Sequence, residues 1–133
     1  MPPEPRNPEG IATTGRPATR YAVLRHEGVP DPHFDVLFER APGSPLVAFR
    51  SPAWPVPAGG VELTALPDHR GAYLDYEGPV SGGRGHVRRV AGGACAAQRV
   101  GDDGWEVELS EPAVRLRLAR CDGGRWRASV MPS

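Results

Sequence analysis

Apolar and polar side chains alternate with a period of two in the last third of the chain, which is typical of β-strands with one buried face. The three clearest segments are residues 105–109, 114–118 and 125–130. Their polar positions are glutamates in the first segment and mainly arginines in the other two, so opposite charges would face each other across paired strands. Strong turn signals, Asp102-Asp103-Gly104 and Asp122-Gly123-Gly124, mark the boundaries.

The earlier part of the chain also consists of short β-type segments broken by turn residues, and it shows no helical period. The proline-rich residues 51–57 cannot form a central strand, so we expect a connecting loop anchored by Trp54. About eight to ten short strands in one small domain indicate a sandwich or a barrel, and a closed barrel removes exposed strand edges. We therefore predict an all-β fold, a small closed β-barrel of about eight short, mainly antiparallel strands with a polar internal site. The earlier strands are predicted at residues 21–26, 33–40, 46–50, 61–66, 72–76, 86–90 and 95–100.

The length of 133 residues fits one domain with one modest core. Residues 1–19 are rich in proline, glycine and threonine and predict a flexible N-terminal arm, followed by a single domain at residues 20–133. No apolar run approaches the roughly 20 residues that span a bilayer, and the first residues lack the features of a secretion signal. We therefore expect a cytoplasmic protein with no membrane partner. Cys95 and Cys121 lack metal-type spacing; free thiols are favoured, with a disulfide left open.

The formal net charge is zero, which argues against a strongly basic nucleic-acid binder. All 16 basic residues are arginine, and arginine is the better bidentate partner for phosphate. Arg70, Arg84, Arg88 and Arg89 lie close in sequence to the later histidines. The arginines near the C-terminus fit an ordinary solvated strand face at least as well as a binding surface.

Three candidate metal ligands lie within ten residues of one another, at His26, His33 and Asp35. On an extended backbone His33 and Asp35 point to the same side of the strand. Residues 27–32 have the composition of a loop, so two adjacent strands would bring His26 beside the other two. Two imidazoles and one carboxylate with open coordination positions are typical of a catalytic metal site.

A second group of chemically active side chains lies between residues 66 and 78 and contains His69, Tyr73, Asp75 and Glu77. If this segment is extended, Tyr73, Asp75 and Glu77 share one face. A glycine-rich run then leads to His86, and such a loop allows the backbone to approach a ligand closely.

Together these residues resemble the 3′-phosphoesterase module of bacterial DNA ligase D and its stand-alone relatives. The resemblance covers most of the chain from about residue 20 to residue 130. It rests on the order and spacing of a histidine, a His-aromatic-Asp strand ending in Glu, an Asp-His pair with a tyrosine four residues later, and Asp-aromatic-Glu-Gly before a glycine-rich loop. In this sequence these elements are His26, His33-Phe34-Asp35 through Glu39, Asp68-His69, Tyr73 and Asp75-Tyr76-Glu77-Gly78.

The resemblance implies a compact β-barrel with a manganese-dependent site, zinc and iron being the alternative metals. It implies removal of a ribonucleoside and then of the 3′-phosphate from the 3′ end of a primer strand in DNA repair, with a ligase or polymerase as a further partner. By the same resemblance His26, His33 and Asp35 are the metal ligands. His69 and Tyr73 are the residues that contact the scissile phosphate.

This chain departs from the family at two positions. The family has an arginine two residues after the metal-binding aspartate, where this chain has Leu37, and a glutamine two residues before the first histidine, where it has Leu24. The missing arginine binds phosphate in the family, and Arg70 and Arg84 are the candidates to replace it.

Two alternatives to a phosphoesterase remain open at the level of sequence. The first is a catalytically degenerate barrel that binds nucleic acid or a protein partner, which the two leucines favour. The second is an iron oxygenase with a triad of His33, Asp35 and His69, although this alternative leaves His26 without a role.

Overall fold

The computed structural model describes residues 19–110, 113–122 and 125–132. The predicted N-terminal arm lies outside the described residues except for Thr19, which begins the first strand. Among the described residues, no helix has the length and apolar character needed to cross a membrane. The elements in chain order are β1 (Thr19–Glu27), β2 (His33–Glu39), β3 (Leu46–Ser51), β4 (Val61–His69), a 3₁₀ turn (Gly71–Leu74), β5 (Gly78–Pro79), β6 (His86–Val100), β7 (Gly104–Ser110), β8 (Ala113–Arg120) and β9 (Arg125–Val130).

Eight strands form a closed barrel in the order β1-β2-β3-β4-β9-β8-β7-β6, and the pairing of β6 with β1 closes it. Every strand pairing is antiparallel, and the two-residue strand β5 lies outside the barrel beside β6. The prediction of a small closed antiparallel barrel is therefore confirmed. The predicted charge complementarity is also present, because Glu106 lies opposite Arg117 and Glu108 lies opposite Arg115 in the register of β7 and β8. The barrel needs no capped edge, since each of its strands has two neighbours.

Strand β6 corrects one prediction, because residues 86–90 and 95–100 belong to one 15-residue strand. Its first part pairs with β1 and its last part with β7. The glycines in the middle indicated a break in sequence, but Gly93 sits within the strand at a φ of 153°. A register shift between Val23 and Leu24 of β1 leaves Val90 of β6 unpaired and exposed. Val90 therefore forms a bulge, and the strand continues past it through Gly92 and Gly93, which pair with β1 in register.

The prediction of a strand at residues 72–76 is wrong, because the chain there forms the 3₁₀ turn. The amide of Tyr73 donates to the carbonyl of Arg70 (3.0 Å), and the amide of Asp75 donates to the carbonyl of Ala72 (3.2 Å). These i to i+3 bonds define the turn. Tyr73, Asp75 and Glu77 therefore do not share one extended face. Leu74 is buried and anchors the turn. This single buried apolar residue between polar neighbours resembles the alternation of a strand, which explains the wrong prediction.

Two apolar clusters lie on opposite faces of the first three strands. The lumen cluster receives side chains from seven of the barrel strands, and residues of the eighth, β6, pack against it. The outer-face cluster involves the outward side of β1, β2 and β3. This double burial explains why residues 21–24 are a continuous apolar run. The lumen cluster is Tyr21, Val23, Val36, Phe38, Val47, Phe49, Leu63, Trp105, Val107, Leu109, Leu116, Leu118, Trp126 and Ala128. The outer-face cluster is Ala22, Leu24, Leu37, Leu46, Ala48, Leu74 and Val87.

Residues 70–85, the covering segment, pack over the outer-face cluster through Leu74, Tyr73, Tyr76 and Val80. Arg20 of β1 fastens this segment from the side, with Nη2 2.6 Å from Oδ1 of Asp75 and Nη1 3.2 Å from Oδ2. The hydrogen bonds from Arg20 lower the pKa of Asp75. The covering segment therefore forms a second layer on one side of the barrel.

The structure also agrees with the predictions made for the proline-rich loop and for the two cysteines. The loop that contains residues 51–57 connects β3 to β4, and Trp54 packs against the lumen cluster as expected of an anchor. Cys95 and Cys121 are both free, as favoured from sequence. Burial raises the pKa of the Cys95 thiol, whereas Cys121 is exposed.

Candidate metal centre

The hairpin of β1 and β2 brings together the three predicted metal ligands. His26 and His33 are opposite each other in its register, and Leu24 is opposite Asp35. His33 and Asp35 are two residues apart on one strand and therefore share a face. One ligand atom from each of the three side chains lies within 4.8 Å of the others. The predicted convergence of His26, His33 and Asp35 is confirmed.

The triad lies on the outside of the barrel wall, which corrects the prediction of a polar internal site. His33 and Asp35 share the face of Leu37, and His26 shares the face of Leu24; both leucines belong to the outer-face cluster. The covering segment shelters this face, so Asp35 is only 5% exposed although it lies outside the lumen. Sequence alternation shows which residues share a face, but it does not show which face is turned to the lumen.

The possible ligand atoms of the triad lie close enough together to coordinate one metal ion, and their lone pairs are directed at one another. Nδ1 of His26 lies 3.3 Å from Oδ2 of Asp35, and Nε2 of His33 lies 3.1 Å from Oδ1. The two imidazole rings are 4.8 Å apart between centroids, with an interplanar angle of 52°. All three side chains are mostly shielded from water, which strengthens electrostatic interactions within the group.

Backbone carbonyls fix the tautomer of each imidazole. Nε2 of His26 donates to the carbonyl of Arg84 (2.7 Å), and Nδ1 of His33 donates to the carbonyl of Asp31 (2.9 Å). In a neutral ring the opposite nitrogen then carries a lone pair, and both of these nitrogens face the carboxylate of Asp35. Lone pairs at this distance from a carboxylate repel it, unless the rings are protonated or a cation lies among the three groups. The donor set and its hydrogen-bonded outer nitrogens therefore fit a divalent metal ion.

A cavity of about 270 Å³ joins the triad to the second group of predicted site residues. The predicted site residues that line it are His26, Asp35, His69, Tyr73, Arg70 and Arg84, whereas His33 does not line it. The remaining walls are Leu24, Asp68, Val80 and Val87. The structure thus brings six of the seven predicted site residues to one cavity.

His69 and Tyr73 pack against each other at the rim formed by the end of β4 and the 3₁₀ turn. Their ring centroids are 5.6 Å apart in an edge-to-face arrangement. Nδ1 of His69 donates to the carbonyl of Pro67 (2.9 Å), and no other described residue bonds its Nε2. Nε2 of His69 is therefore free to contact a ligand in the cavity.

Two of the charged side chains that line the cavity are arginines. Arg40 pairs with the carboxylate of Asp68 at 2.9 Å, and the carboxylate of Asp35 belongs to the triad. Among the described residues, neither Arg70 nor Arg84 has a carboxylate within ion-pair distance. The cavity is therefore suited to an anion, and guanidinium groups match the geometry of phosphate oxygens.

The glycine-rich loop holds Arg84 in place through several contacts. Nε of Arg84 donates to the carbonyl of Ser81 (2.7 Å), and Nη2 lies 3.3 Å from the Ser81 hydroxyl. Gly85, at a φ of 74°, approaches β1 so closely that an added Cβ would lie 2.1 Å from the carbonyl oxygen of Glu27. The same loop therefore orients His26, a possible metal ligand, through the Arg84 carbonyl and presents the Arg84 side chain to the cavity. Sequence reasoning missed both carbonyl groups at the triad, because backbone acceptors leave no residue signature.

Leu24 and Leu37, the two departures from the family pattern, both have apolar roles in the fold. Leu24 lines the cavity, and Leu37 is completely buried. The oxygenase triad of His33, Asp35 and His69 is contradicted, because the cluster of possible ligands found among the described residues contains His26 and not His69.

No protein-family model matches the chain, and no curated protein matches it. The resemblance to the ligase D phosphoesterase module therefore depends on the residues quoted for it.

Proposed function

We propose that this chain is a metal-dependent phosphoesterase that removes a 3′-phosphate or 3′-ribonucleoside from nucleic-acid ends during DNA repair. The observation that carries the proposal is one cavity in which a possible metal triad meets a histidine and two arginines that have no acidic partner among the described residues. A metal-binding group alone is common in proteins. Its combination with an anion-binding wall and a free imidazole nitrogen is what favours phosphoryl chemistry.

His26, His33 and Asp35 would hold the divalent ion, and the family resemblance favours manganese over zinc or iron. When bound, such an ion supplies Lewis-acid polarisation of a phosphate oxygen and lowers the pKa of a water molecule. The chain itself fixes the two rings through the carbonyls of Arg84 and Asp31. The covering segment limits the access of bulk water to the triad.

The other cavity residues have separate roles in this proposal. Arg70 and Arg84 bind phosphate oxygens and replace the arginine that the family has at the position of Leu37. His69 contacts the departing oxygen through Nε2, which can donate a proton only from the imidazolium form because Nδ1 already donates to Pro67. Tyr73 restricts the orientation of His69 by edge-to-face packing. A ligase or polymerase acting on the same 3′ end is the partner that this activity would serve.

The experiment that tests the proposal measures phosphate release from a primer-template with a 3′-phosphate, in manganese, zinc or ferrous ion. We expect release that depends on the metal, and we expect His69→Gln to lower kcat by about 100-fold or more, the range typical of a lost general acid. Arg115→Gln is the matched control, since Arg115 is an exposed residue on β8 that does not line the cavity.

The degenerate binding barrel is the competing function, and the apolar Leu24 and Leu37 favour it. Its signature is tight binding of the primer-template without release of phosphate in any of the three metals. That result, obtained with folded wild-type protein, would contradict the phosphoesterase proposal.

A further inference from the structure

A second cavity of about 200 Å³ adjoins the metal-centre cavity. Arg70 and Tyr73 line both cavities. The second cavity is completed by Ala72, Tyr76, Pro79 and Ser81. Arg70 is its one charged lining residue. Neither cavity is large alone, but together they reach the range of roughly 300–1,000 Å³ that is typical of small-molecule sites.

Three aromatic rings lead from the first cavity into the second. His69 packs on Tyr73 at 5.6 Å, and Tyr73 packs on Tyr76 at 5.5 Å between ring centroids, both in edge-to-face geometry. Tyr73 and Tyr76 both line the second cavity, which contains none of the triad residues. The second cavity therefore has aromatic walls.

Tyr76 is held rigidly in this row. Its hydroxyl donates to the carbonyl of Pro79, and Gly78 lies against the ring so closely that an added Cβ would be 3.1 Å from the hydroxyl oxygen. The φ of 139° at Gly78 lets the backbone pass at this distance. A preorganised ring loses little conformational entropy when a ligand stacks on it.

The chemistry of the two cavities suits one kind of molecule. The first offers arginines and an imidazole for a phosphate, and the second offers tyrosine rings for a planar group. A nucleotide carries these two features one sugar apart, and Arg70 and Tyr73 are shared by the two cavities. Stacking on aromatic side chains is tolerant of base identity, because every base has a π-face.

We infer that the second cavity is a subsite for the terminal nucleobase of the strand whose phosphate occupies the first cavity, with Tyr76 as its main stacking residue. The inference rests on the proposed phosphoesterase function and names its substrate as a base-bearing 3′ end. An abasic end or a free phosphate would use the first cavity alone.

The test compares two 5′-labelled oligonucleotides that carry a 3′-phosphate and differ only in the last residue, which is adenosine in one and abasic in the other. Fluorescence anisotropy without added metal gives the dissociation constant of each, and initial rates with manganese give KM and kcat. We expect wild-type protein to bind the adenosine end about fivefold to tenfold more tightly, the lower part of the range for one base–aromatic stack.

Two substitutions of Tyr76 separate stacking from structure. Tyr76→Leu removes the ring and keeps an apolar side chain against the outer-face cluster, so the preference for the adenosine end should vanish while abasic binding is kept. Tyr76→Phe keeps the ring and loses only the bond to Pro79, so the preference should remain. Because the readout is a ratio within each variant, partial unfolding does not alter it.

The outcomes distinguish this inference from the function on which it rests. Equal binding of the two ends by wild-type protein, absence of binding to either, or a preference that survives Tyr76→Leu would overturn the subsite. A preference that Tyr76→Leu abolishes, without phosphate release in manganese, would support the subsite and contradict the phosphoesterase activity.

Discussion

Two imidazoles at the triad present nitrogens to Asp35 because a backbone carbonyl engages the other nitrogen of each ring. The carbonyls come from different places, Arg84 in the glycine-rich loop and Asp31 in the turn of the β1–β2 hairpin. They select opposite tautomers, with the proton on Nε2 of His26 and on Nδ1 of His33. The identity and spacing of the three side chains were predictable from sequence. The tautomers were not, because they depend on backbone groups brought in by the fold.

Replacement of a triad histidine tests the assignment directly. His33→Ala should lower the manganese affinity by more than the roughly 10–100-fold that loss of a second-shell partner costs, because it removes a ligand atom itself. Calorimetric titration with manganese measures this change. His86→Ala is the matched control, since His86 is an exposed histidine whose nearest acidic group is Glu27 at 3.8 Å. Equal manganese affinity in wild-type protein and in His33→Ala would exclude His33 as a ligand.

The position of Leu37 in the fold could not be predicted from its identity alone. The resemblance to the ligase D module implies a phosphate-binding arginine at this position, so the leucine indicated only that one charge was missing. The structure adds that Leu37 is completely buried in the outer-face cluster, beneath the layer that carries Arg70 and Arg84. The arginine charges at the cavity therefore come from the covering segment and not from β2, and their role in place of the family's arginine belongs to the proposed function.

At the scale of elements, the glycine-rich loop is the part that joins the two halves of the site. Its backbone holds His26, its Arg84 side chain lines the cavity, and Gly85 fits against the end of β1. The sequence showed the glycines but not which of them matters. Strand periodicity also failed nearby, at residues 72–76, because alternating polarity in a short segment is compatible with a turn whose single apolar residue is buried.

Two glycines of this loop allow a matched comparison. Gly83 and Gly85 have similar positive φ angles, 70° and 74°, but an added Cβ has open space at Gly83 and meets the Glu27 carbonyl at Gly85. Gly85→Ala should displace the loop, break the bond from His26 to the Arg84 carbonyl and weaken manganese binding about 10-fold to 100-fold. Gly83→Ala carries the same backbone strain without the collision, so its manganese affinity should stay close to that of wild-type protein. Similar losses in both variants would show that φ strain, and not the loop contact, sets the affinity.

At the scale of the whole molecule, the barrel supports its site on the outside. The lumen is filled with apolar side chains, including an aromatic group in which Phe49 packs on Phe38 and Trp126. A polar site could not share that interior without unpaired buried groups. The fold class was predictable because period-two alternation and turn signals recur along the chain. The position of the site was not, because it follows from which face the closed sheet turns inward.

The covering segment has a separate electrostatic link to the barrel through Arg20 and Asp75. The lowered pKa of Asp75 means that the ion pair contributes at neutral pH and is lost as the pH falls below the usual aspartate range, about 4. Asp75 is exposed, so this contribution is small and sensitive to salt. Leu74 and its neighbours in the outer-face cluster therefore provide most of the attachment.

The two clusters lie on opposite faces of the barrel wall. We therefore predict that the covering segment can detach from the barrel before the barrel itself unfolds. Leu74→Ala should release the covering segment while the barrel stays folded, because Leu74 belongs to the outer-face cluster alone. Phe49→Ala should lower the free energy of unfolding of the whole barrel by about 3–5 kcal/mol, the usual cost of truncating a buried phenylalanine. Native-state hydrogen exchange read by NMR distinguishes the two effects.

In Leu74→Ala the amides of Tyr73 and Asp75, which bond within the 3₁₀ turn, should exchange faster while those of β7 and β8 keep their protection. If all of these amides accelerated together in Leu74→Ala, the covering segment and the barrel would be one cooperative unit, and the site could not open without unfolding the protein.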